Sequence, residues 1–187
     1  MTTQPPYSTL FLDRDGVLNT EREKDYVKSW SEFQFEPGVF EALELLQPLF
    51  ERIIIVTNQR GVGAGIMTPE DLDDIHGKML DAFQQRGIQI AKIYSATDED
   101  RSSIKRKPHP YMGQCAKEDF PEIRFEKSVM VGNTSSDMAF GKSLGMKTVF
   151  IDDKKVIFSI ANLEHADFLA DSLLDFATKL DDGSIQI

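Results

Sequence analysis

The feature that most constrains the fold is an alternation of short apolar runs with longer stretches of helical spacing. Between the runs, apolar residues recur every three or four positions, as Leu72, Ile75, Met79 and Phe83 do, which is typical of one face of a helix. Strands that alternate with such helices indicate a parallel sheet with helices on both faces. The runs are Thr9–Leu12, Ile53–Val56, Ala91–Ser95, Val129–Val131 and Thr148–Ile151.

This alternation predicts an α/β fold with a doubly wound parallel sheet, formed as a single domain over residues 1–187. A chain of this length can bury a core of its own. In such sheets the binding crevice lies beyond the carboxyl ends of the strands. The residues that follow each apolar run are therefore the first candidates for a functional site.

Local signals predict the bounds of two helices. Thr68 followed by Pro69 is typical of an N-cap with proline at the first helical position, and Gly87 is expected to end that helix. A later helix is expected from about Ser135 to Leu144. His76 lies in the first of these helices and is expected on its polar surface.

Charge and cysteine content narrow the classes of function. The net charge of -10 argues against general binding to nucleic acids, whose phosphates require a basic surface. Cys115 is the only cysteine, which excludes a disulfide or a cysteine-based zinc site within one chain. The N-terminal residues do not resemble a signal peptide, and no run approaches the ~20 apolar residues of a membrane span. We expect a cytoplasmic protein with no membrane partner.

Polar residues stand directly after three of the apolar runs. Asp13 and Asp15 follow the first run, Thr57 the second and Asn133 the fourth. Two carboxylates as close as Asp13 and Asp15 repel, and a bound hard cation would compensate them. Lys107, in a basic patch of an acidic chain, and Thr57 can hold phosphate oxygens. The set predicts a site for metal-assisted phosphoryl transfer.

Each of these elements has an ordinary structural explanation when it is taken alone. An Asp-x-Asp pair is usually a solvated turn, and Lys105–Lys107 would usually be a solvated charge run. The order in which these elements occur together, each at a strand end, favours a functional site instead. A phospho-receiver domain uses similar groups in another order, with the phosphorylated acid on a middle strand and the lysine after the last one.

The ordered motifs resemble those of haloacid dehalogenase (HAD) superfamily phosphatases, over about Ser8 to Ile151. Further matches, among them Asn19, resemble the subclass III group that contains D-glycero-D-manno-heptose 1,7-bisphosphate phosphatases and histidinol-phosphate phosphatases. The resemblance implies a Rossmann-like core with a small flap at about residues 18–36 and no large cap domain. The four matching motifs are Phe11–Gly16, Val56–Gln59, Arg106–Pro108 and Gly132–Met138.

The resemblance implies a role for each catalytic residue. Asp13 would be the nucleophile that forms an aspartyl-phosphate. Asp15 would protonate the leaving alcohol and then deprotonate the attacking water. Thr57 and Lys107 would bind the transferring phosphoryl group, and Asp137 would orient Lys107.

The resemblance also implies a cofactor and contacts with the substrate. Mg²⁺ would be held by the Asp13 carboxylate, the Asp15 backbone carbonyl and Asn133. The side chains after the second motif would line the substrate mouth, and the arginine of the third would grip the substrate, since a guanidinium fork suits phosphate geometry. The implied substrate-binding residues are Asn58, Gln59 and Arg106.

Three departures separate this chain from the subgroup. Asn133 stands where aspartate is usual, which removes one negative charge and predicts weaker metal binding. The loop at about residues 96–106 has no Cys or His, where many heptose enzymes bind zinc, so zinc is not expected and the loop that shapes specificity is rebuilt. Thr134 replaces a common lysine, and Arg60 could supply a substitute cation.

The expected function is a Mg²⁺-dependent phosphomonoester hydrolase that acts, as a monomer, on a small-molecule phosphate ester. D-glycero-D-manno-heptose 1,7-bisphosphate is the first expected substrate, and histidinol phosphate and a polynucleotide 3′-phosphate are the alternatives. A non-enzymatic alternative is a phosphate-binding regulatory module with weak turnover, because Asn133 weakens the metal site. Tyr26 and Trp30 in the flap either screen the site from water or pack into the core.

Overall fold

The strands of the protein form one parallel sheet in a computed structural model that describes residues 5–22, 25–152 and 165–187. The order of the six described strands is β3-β2-β1-β4-β5-β6, and every pairing among them is parallel. The predicted fold class is thus confirmed, and each predicted run lies in a strand or overlaps one. The strands are β1 (Tyr7–Leu12), β2 (Phe50–Asn58), β3 (Lys92–Ala96), β4 (Val129–Gly132), β5 (Lys147–Ile151) and β6 (Phe168–Ala170).

The described helices cover both faces of the sheet, and the predicted bounds of two of them are confirmed. The longest helix starts after a capping box between Thr68 and Asp71, and Gly87 follows its end with a φ of 73°. The later helix spans Ser135–Ser143. The described helices are α1 (Val39–Leu46), α2 (Arg60–Gly63), α3 (Pro69–Gln85), α4 (Tyr111–Asp119), α5 (Ser135–Ser143) and α6 (Leu173–Asp181).

Alternate residues of the central strands pack into two separate apolar cores, one on each face of the sheet. In β1, Leu10 and Leu12 join the core that α1, α3 and α6 cover, whereas Phe11 joins the core beneath α4 and α5. This division follows from the period of two in a strand, where successive side chains point to opposite faces. Burial on both faces explains why the runs are apolar throughout.

The segment predicted as a flap packs largely by aromatic contacts. Trp30 stacks on Phe33 with ring centroids 5.0 Å apart and meets Phe35 edge-on, so Trp30 is a packing residue. Tyr26 instead lies at the predicted site, where it lines the cavity described below. Residues 23 and 24 of this segment lie outside the described residues.

The sheet order brings the ends of three strands together. β1 lies between β2 and β4, with Leu12 in register with Ile55 and Val131. The backbone N–H of Asp13 donates to the Val131 carbonyl at 3.0 Å, so Asp13 stands directly beyond the sheet edge. Within the described ranges, no helix is both long and apolar enough to cross a membrane.

Candidate active site

The centre of the candidate site is a buried ammonium group between two carboxylates. The Lys107 Nζ atom lies 2.8 Å from Asp13 Oδ1 and 2.6 Å from Asp137 Oδ1, and it donates to the Val56 carbonyl at 2.8 Å. These three partners match the three N–H donors of an ammonium group. Burial opposes the charge of Lys107, but the two carboxylates outweigh it and raise its pKa. Lys107 is therefore a fixed cation.

Lys107 compensates the charge of the buried Asp13 carboxylate only in part. Burial, followed by the charge of Asp137, raises the pKa of Asp13 to about 7, although Lys107 acts in the opposite direction. The Lys107 ammonium group alone therefore leaves Asp13 only partly ionised at neutral pH. A further cation beside Asp13 would restore the ionised form that a nucleophile needs.

Asp137 connects Lys107 to the start of α5. Its Oδ2 atom accepts from the Thr134 backbone N–H at 3.0 Å and from the Thr134 hydroxyl at 2.6 Å, so the side chain is locked by a helix cap. A Cβ atom on Gly132 would lie 2.2 Å from the Asp137 Cβ. The glycine at the end of β4 therefore permits the approach that brings Asp137 to Lys107.

The Asp15 carboxylate accepts hydrogen bonds from three side chains. Arg14 Nη2 donates to both oxygens at 2.8 and 3.0 Å, Asn19 donates at 3.0 Å and Gln59 at 2.7 Å. Burial would raise the pKa of Asp15, but the Arg14 charge and these hydrogen bonds outweigh it and hold that pKa below its usual range. In this conformation Asp15 is ionised, which is the form of a base.

Behind Asp15, Arg14 and His76 form a buried contact that was missed at the level of sequence. Arg14 is 1% exposed, and its Nη1 atom lies 3.2 Å from His76 Nε2. The expectation that His76 lies on the surface was wrong, because it is buried. The signal was available: position 76 follows Leu72 by four and precedes Met79 by three, which places it on the apolar face of α3.

Side chains at the end of β2 and directly after it hold other parts of the site in place. Gln59 Nε2 donates to Thr57 Oγ1 at 2.8 Å as well as to Asp15. Asn58 makes two hydrogen bonds to the backbone of Lys107: its Oδ1 accepts from the Lys107 N–H at 3.0 Å, and its Nδ2 donates to the Lys107 carbonyl at 3.2 Å. Thr57 is fully buried, and its contact with a phosphoryl group stays a prediction.

A cavity of about 180 Å³ opens beside these residues. Of the described residues predicted to bind substrate, Asn58 and Gln59 line it, whereas Arg106 does not. Its charged lining comprises five carboxylates and three cationic side chains, so the cavity is acidic, and an anion entering it requires an additional cation. The charged lining residues are Asp13, Arg14, Asp15, Glu21, Arg22, Asp25, Lys107 and Asp137.

Two arginines lie beyond the cavity, at its rim, next to Tyr26 in the cavity lining. Arg60 donates to the Tyr26 hydroxyl at 3.2 Å and to the Glu99 carbonyl at 2.9 Å. Arg106 donates to the Asp98 carbonyl at 3.3 Å. Burial, followed by the positive charge of Arg60, lowers the pKa of Arg106. The two guanidinium groups are therefore close enough to repel, and an anion between them would relieve that repulsion.

The Asn133 side chain presents an oxygen that fits a metal ion. Its Nδ2 atom donates to Glu21 at 3.0 Å, whereas its Oδ1 atom is buried and receives no hydrogen bond from any described residue. The described His, Cys, Asp and Glu side chains do not by themselves form a metal-binding cluster of three. A hard cation here would instead combine the Asp13 carboxylate with amide and backbone oxygens, which are ligands that Mg²⁺ accepts.

Gly16 lets the first motif approach Asn133. It has a φ of 80°, and a Cβ atom there would lie 1.9 Å from Asn133 Nδ2. We expect Gly16→Ala to displace the Asn133 side chain and to weaken Mg²⁺ binding about tenfold or more, because a ligand would be lost. Isothermal titration with Mg²⁺ measures this.

The matched control for that change is Gly87→Ala. Gly87 has a similar φ of 73°, but a Cβ atom there would meet nothing within 4 Å. This variant carries the strain of the left-handed conformation alone. If both variants bound Mg²⁺ as the wild type does, the approach of Gly16 to Asn133 would have no part in metal binding.

Comparisons with known proteins show that this chain is similar to phosphatases. A family model described as polynucleotide kinase 3 phosphatase matches residues 8–181. D-glycero-beta-D-manno-heptose-1,7-bisphosphate 7-phosphatase of Helicobacter pylori is 34% identical over 142 residues, 74% of this chain and 79% of that protein. D-glycero-alpha-D-manno-heptose-1,7-bisphosphate 7-phosphatase of Mycobacterium bovis is 36% identical over 131 residues, 69% of this chain and 68% of that protein.

A solved structure has the same fold. The crystal structure of D,D-heptose 1,7-bisphosphate phosphatase from B. bronchiseptica, complexed with magnesium and phosphate, matches with a TM-score of 0.80. The match covers 94% of this chain and 99% of that chain at 24% sequence identity. A large share of this chain thus follows the architecture of that protein.

Proposed function

Since the chain belongs to the polynucleotide kinase 3 phosphatase family, we propose that it is a Mg²⁺-dependent phosphomonoester hydrolase whose nucleophile is Asp13 and whose substrate is a heptose bisphosphate. One observation carries the proposal. Lys107 is ion-paired with both Asp13 and Asp137. Asn133 lines the same cavity, and its amide oxygen accepts no hydrogen bond from any described residue. The groups proposed as nucleophile, phosphate-binding cation and metal ligand thus lie together at one sheet edge.

The proposed reaction has two steps at phosphorus. The Asp13 carboxylate attacks phosphorus as the bond to the leaving oxygen breaks, and Asp15 gives that oxygen a proton. Water then attacks the aspartyl-phosphate, Asp15 takes the proton from the water, and phosphate leaves with Asp13 restored. Lys107 would stabilise the negative charge of the moving phosphoryl group.

Asp15 must carry a proton when the first step begins, although it is ionised in the described conformation. The incoming phosphoryl group brings negative charge close to Asp15, and a like charge raises the pKa of a carboxyl group. Substrate binding would therefore oppose the effect of the Arg14 guanidinium. The same residue can then return to its ionised form for the second step.

The proposed Mg²⁺ would be held by the Asp13 carboxylate, the Asp15 backbone carbonyl and the Asn133 amide oxygen. Bound there, it would neutralise phosphate charge and keep Asp13 ionised. Two observations support it: the lining of the cavity is acidic, and the relative from B. bronchiseptica was crystallised with magnesium and phosphate.

The size of the cavity supports a substrate that extends beyond it. Its volume of about 180 Å³ is below the roughly 300–1,000 Å³ that is typical of small-molecule sites. One phosphoryl group would enter, while the rest of the substrate would lie towards Arg60 and Arg106 at the rim. A second anionic group there suits a bisphosphate.

The matching family model supports a second candidate, a 3′-phosphatase acting on polynucleotide ends. The open rim would admit a strand end. The net charge of -10 opposes it, because affinity for a polynucleotide depends mainly on neutralising its phosphates. The heptose bisphosphate therefore remains the first choice.

A phosphate-release screen with Mg²⁺ tests the proposal. It should include both anomers of D-glycero-D-manno-heptose 1,7-bisphosphate, because the relatives are named for different anomers, together with histidinol phosphate and a 3′-phosphorylated oligonucleotide. We expect the highest kcat/KM for one heptose anomer. A preference for the oligonucleotide would favour the second candidate, and no release above the Asp13→Asn variant would refute the enzymatic function.

Restoring a carboxylate at position 133 should strengthen metal binding. We expect Asn133→Asp to lower the Mg²⁺ concentration for half-maximal activity about tenfold, because one more negative ligand contributes about 1.4 kcal/mol. Glu21, which accepts from Asn133 at 3.0 Å, would then face another carboxylate. The double variant with Glu21→Gln is the control that removes this repulsion, and an unchanged midpoint in both variants would contradict the role of Asn133 as a ligand.

A further inference from the structure

The reaction proposed above gives no role to His76, which contacts Arg14 behind Asp15. We propose that His76 is a positioning residue for Asp15: it fixes the Arg14 guanidinium, and the guanidinium in turn holds the carboxylate where it can exchange a proton with the leaving oxygen. This inference rests on the proposed function, because it concerns the same acid–base step.

The Arg14 guanidinium is held at its two ends by different partners. Nη2 donates to both oxygens of Asp15, and Nη1 meets His76 Nε2 at 3.2 Å. The remaining Nε atom is buried with no acceptor among the described residues. Because Arg14 is 1% exposed, water does not readily replace a partner that is lost. His76 is therefore what holds the guanidinium at the end remote from Asp15.

The chemistry of the pair fixes the state of His76. A guanidinium group has donors and no acceptor, so Nε2 must accept and the ring proton must lie on Nδ1. Burial, followed by the positive charge of Arg14, lowers the pKa of His76 to about 4. The ring is neutral near pH 7 and acts as a fixed acceptor on α3, whose start is locked by the Thr68 capping box.

Loss of the acceptor would act on Asp15 through Arg14. An unpaired N–H of a buried guanidinium favours rotation towards any other acceptor. Such a rotation would withdraw Nη2 from Asp15 and leave the carboxyl group held by Asn19 and Gln59 alone. A misplaced acid slows the expulsion of an alkoxide, which needs a proton, far more than that of an aryl oxide, which leaves without one.

The test compares kcat/KM for the sugar phosphate preferred in the screen with that for p-nitrophenyl phosphate, both with Mg²⁺. For each substrate, kcat/KM reports the steps up to departure of the leaving group, where Asp15 acts as the acid. We expect His76→Met to lower the sugar phosphate value about tenfold more than the aryl phosphate value, since general acid catalysis contributes about 10²–10⁴-fold. His76→Gln, whose Oε1 can accept from Arg14, should restore most of that loss.

Met79→Ala is the matched control, because Met79 is fully buried on the same helix and packs in the apolar core. It should lower both values alike, if it lowers either. Equal losses for the two substrates in His76→Met, no loss at all, or no rescue by His76→Gln would overturn the inference. A wild type with no activity above Asp13→Asn would instead refute the proposed function, and this inference with it.

Discussion

Replacing Lys107 with methionine is expected to destabilise the protein by about 3–5 kcal/mol and to abolish phosphate release. The substitution removes the ammonium group from between Asp13 and Asp137, to which it is bound at 2.8 and 2.6 Å. Two buried carboxylates would then face each other without a cation. Urea unfolding in the absence of divalent metal measures the change in stability, and the phosphate assay measures the change in turnover.

Two control variants distinguish the effect of breaking the buried ion pairs from the effect of losing one positive charge. Lys142→Met breaks an exposed pair with Asp167 and should cost less than about 1 kcal/mol. Adding Asp137→Asn to Lys107→Met removes one of the stranded carboxylates, and it should recover stability but not turnover. A loss below about 1 kcal/mol for Lys107→Met would show that the two buried carboxylates do not depend on it.

Replacing Asp13 with asparagine should have opposite effects on turnover and on stability. Turnover should fall at least about 10⁴-fold, because the nucleophile is lost. The folded pKa of Asp13 is raised from 3.8 to about 7, so its contribution to stability is complete below about pH 4 and is lost as the pH rises through 7. The metal-free variant should therefore be more stable than the wild type at pH 8.

The comparison is made by urea unfolding in EDTA at pH 5 and pH 8. The free energy of unfolding of Asp13→Asn, relative to the wild type, should be higher at pH 8 than at pH 5 by more than about 1 kcal/mol. Asp119→Asn is the control, because hydrogen bonds from Lys92 and Tyr94 lower the pKa of that exposed carboxyl group. It should gain no stability at pH 8. An advantage of Asp13→Asn that did not grow with pH would contradict the raised pKa of Asp13.

Most of the fold followed from periodicity alone. Strands buried on both faces must be apolar throughout, so β1, β2 and β4 stand out as runs, and the acids and amides that follow them mark the sheet edge. The family was likewise recognisable, since residues 8–181 match its model. The segment predicted as a flap was harder to describe in detail from sequence: the packing of Trp30 and the cavity position of Tyr26 depend on contacts that spacing does not encode.

What sequence reasoning missed are the side chains that hold others in place. Gln59 was predicted to line the substrate mouth, and it does line the cavity, but its amide also joins Thr57 to Asp15. Arg14 received no prediction of its own, although it is among the largest fully buried side chains. Both act through polar contacts between distant elements, which neither local propensity nor hydrophobic period reports.

The most direct test of the central claim is to trap the covalent intermediate. The enzyme is mixed with Mg²⁺ and the preferred phosphate ester, quenched, reduced with borohydride and analysed by peptide mass spectrometry. Reduction converts an aspartyl-phosphate into homoserine. We expect homoserine at position 13, only with substrate present. An active enzyme that yielded no homoserine, or yielded it at another aspartate, would contradict the assignment of Asp13 as the nucleophile.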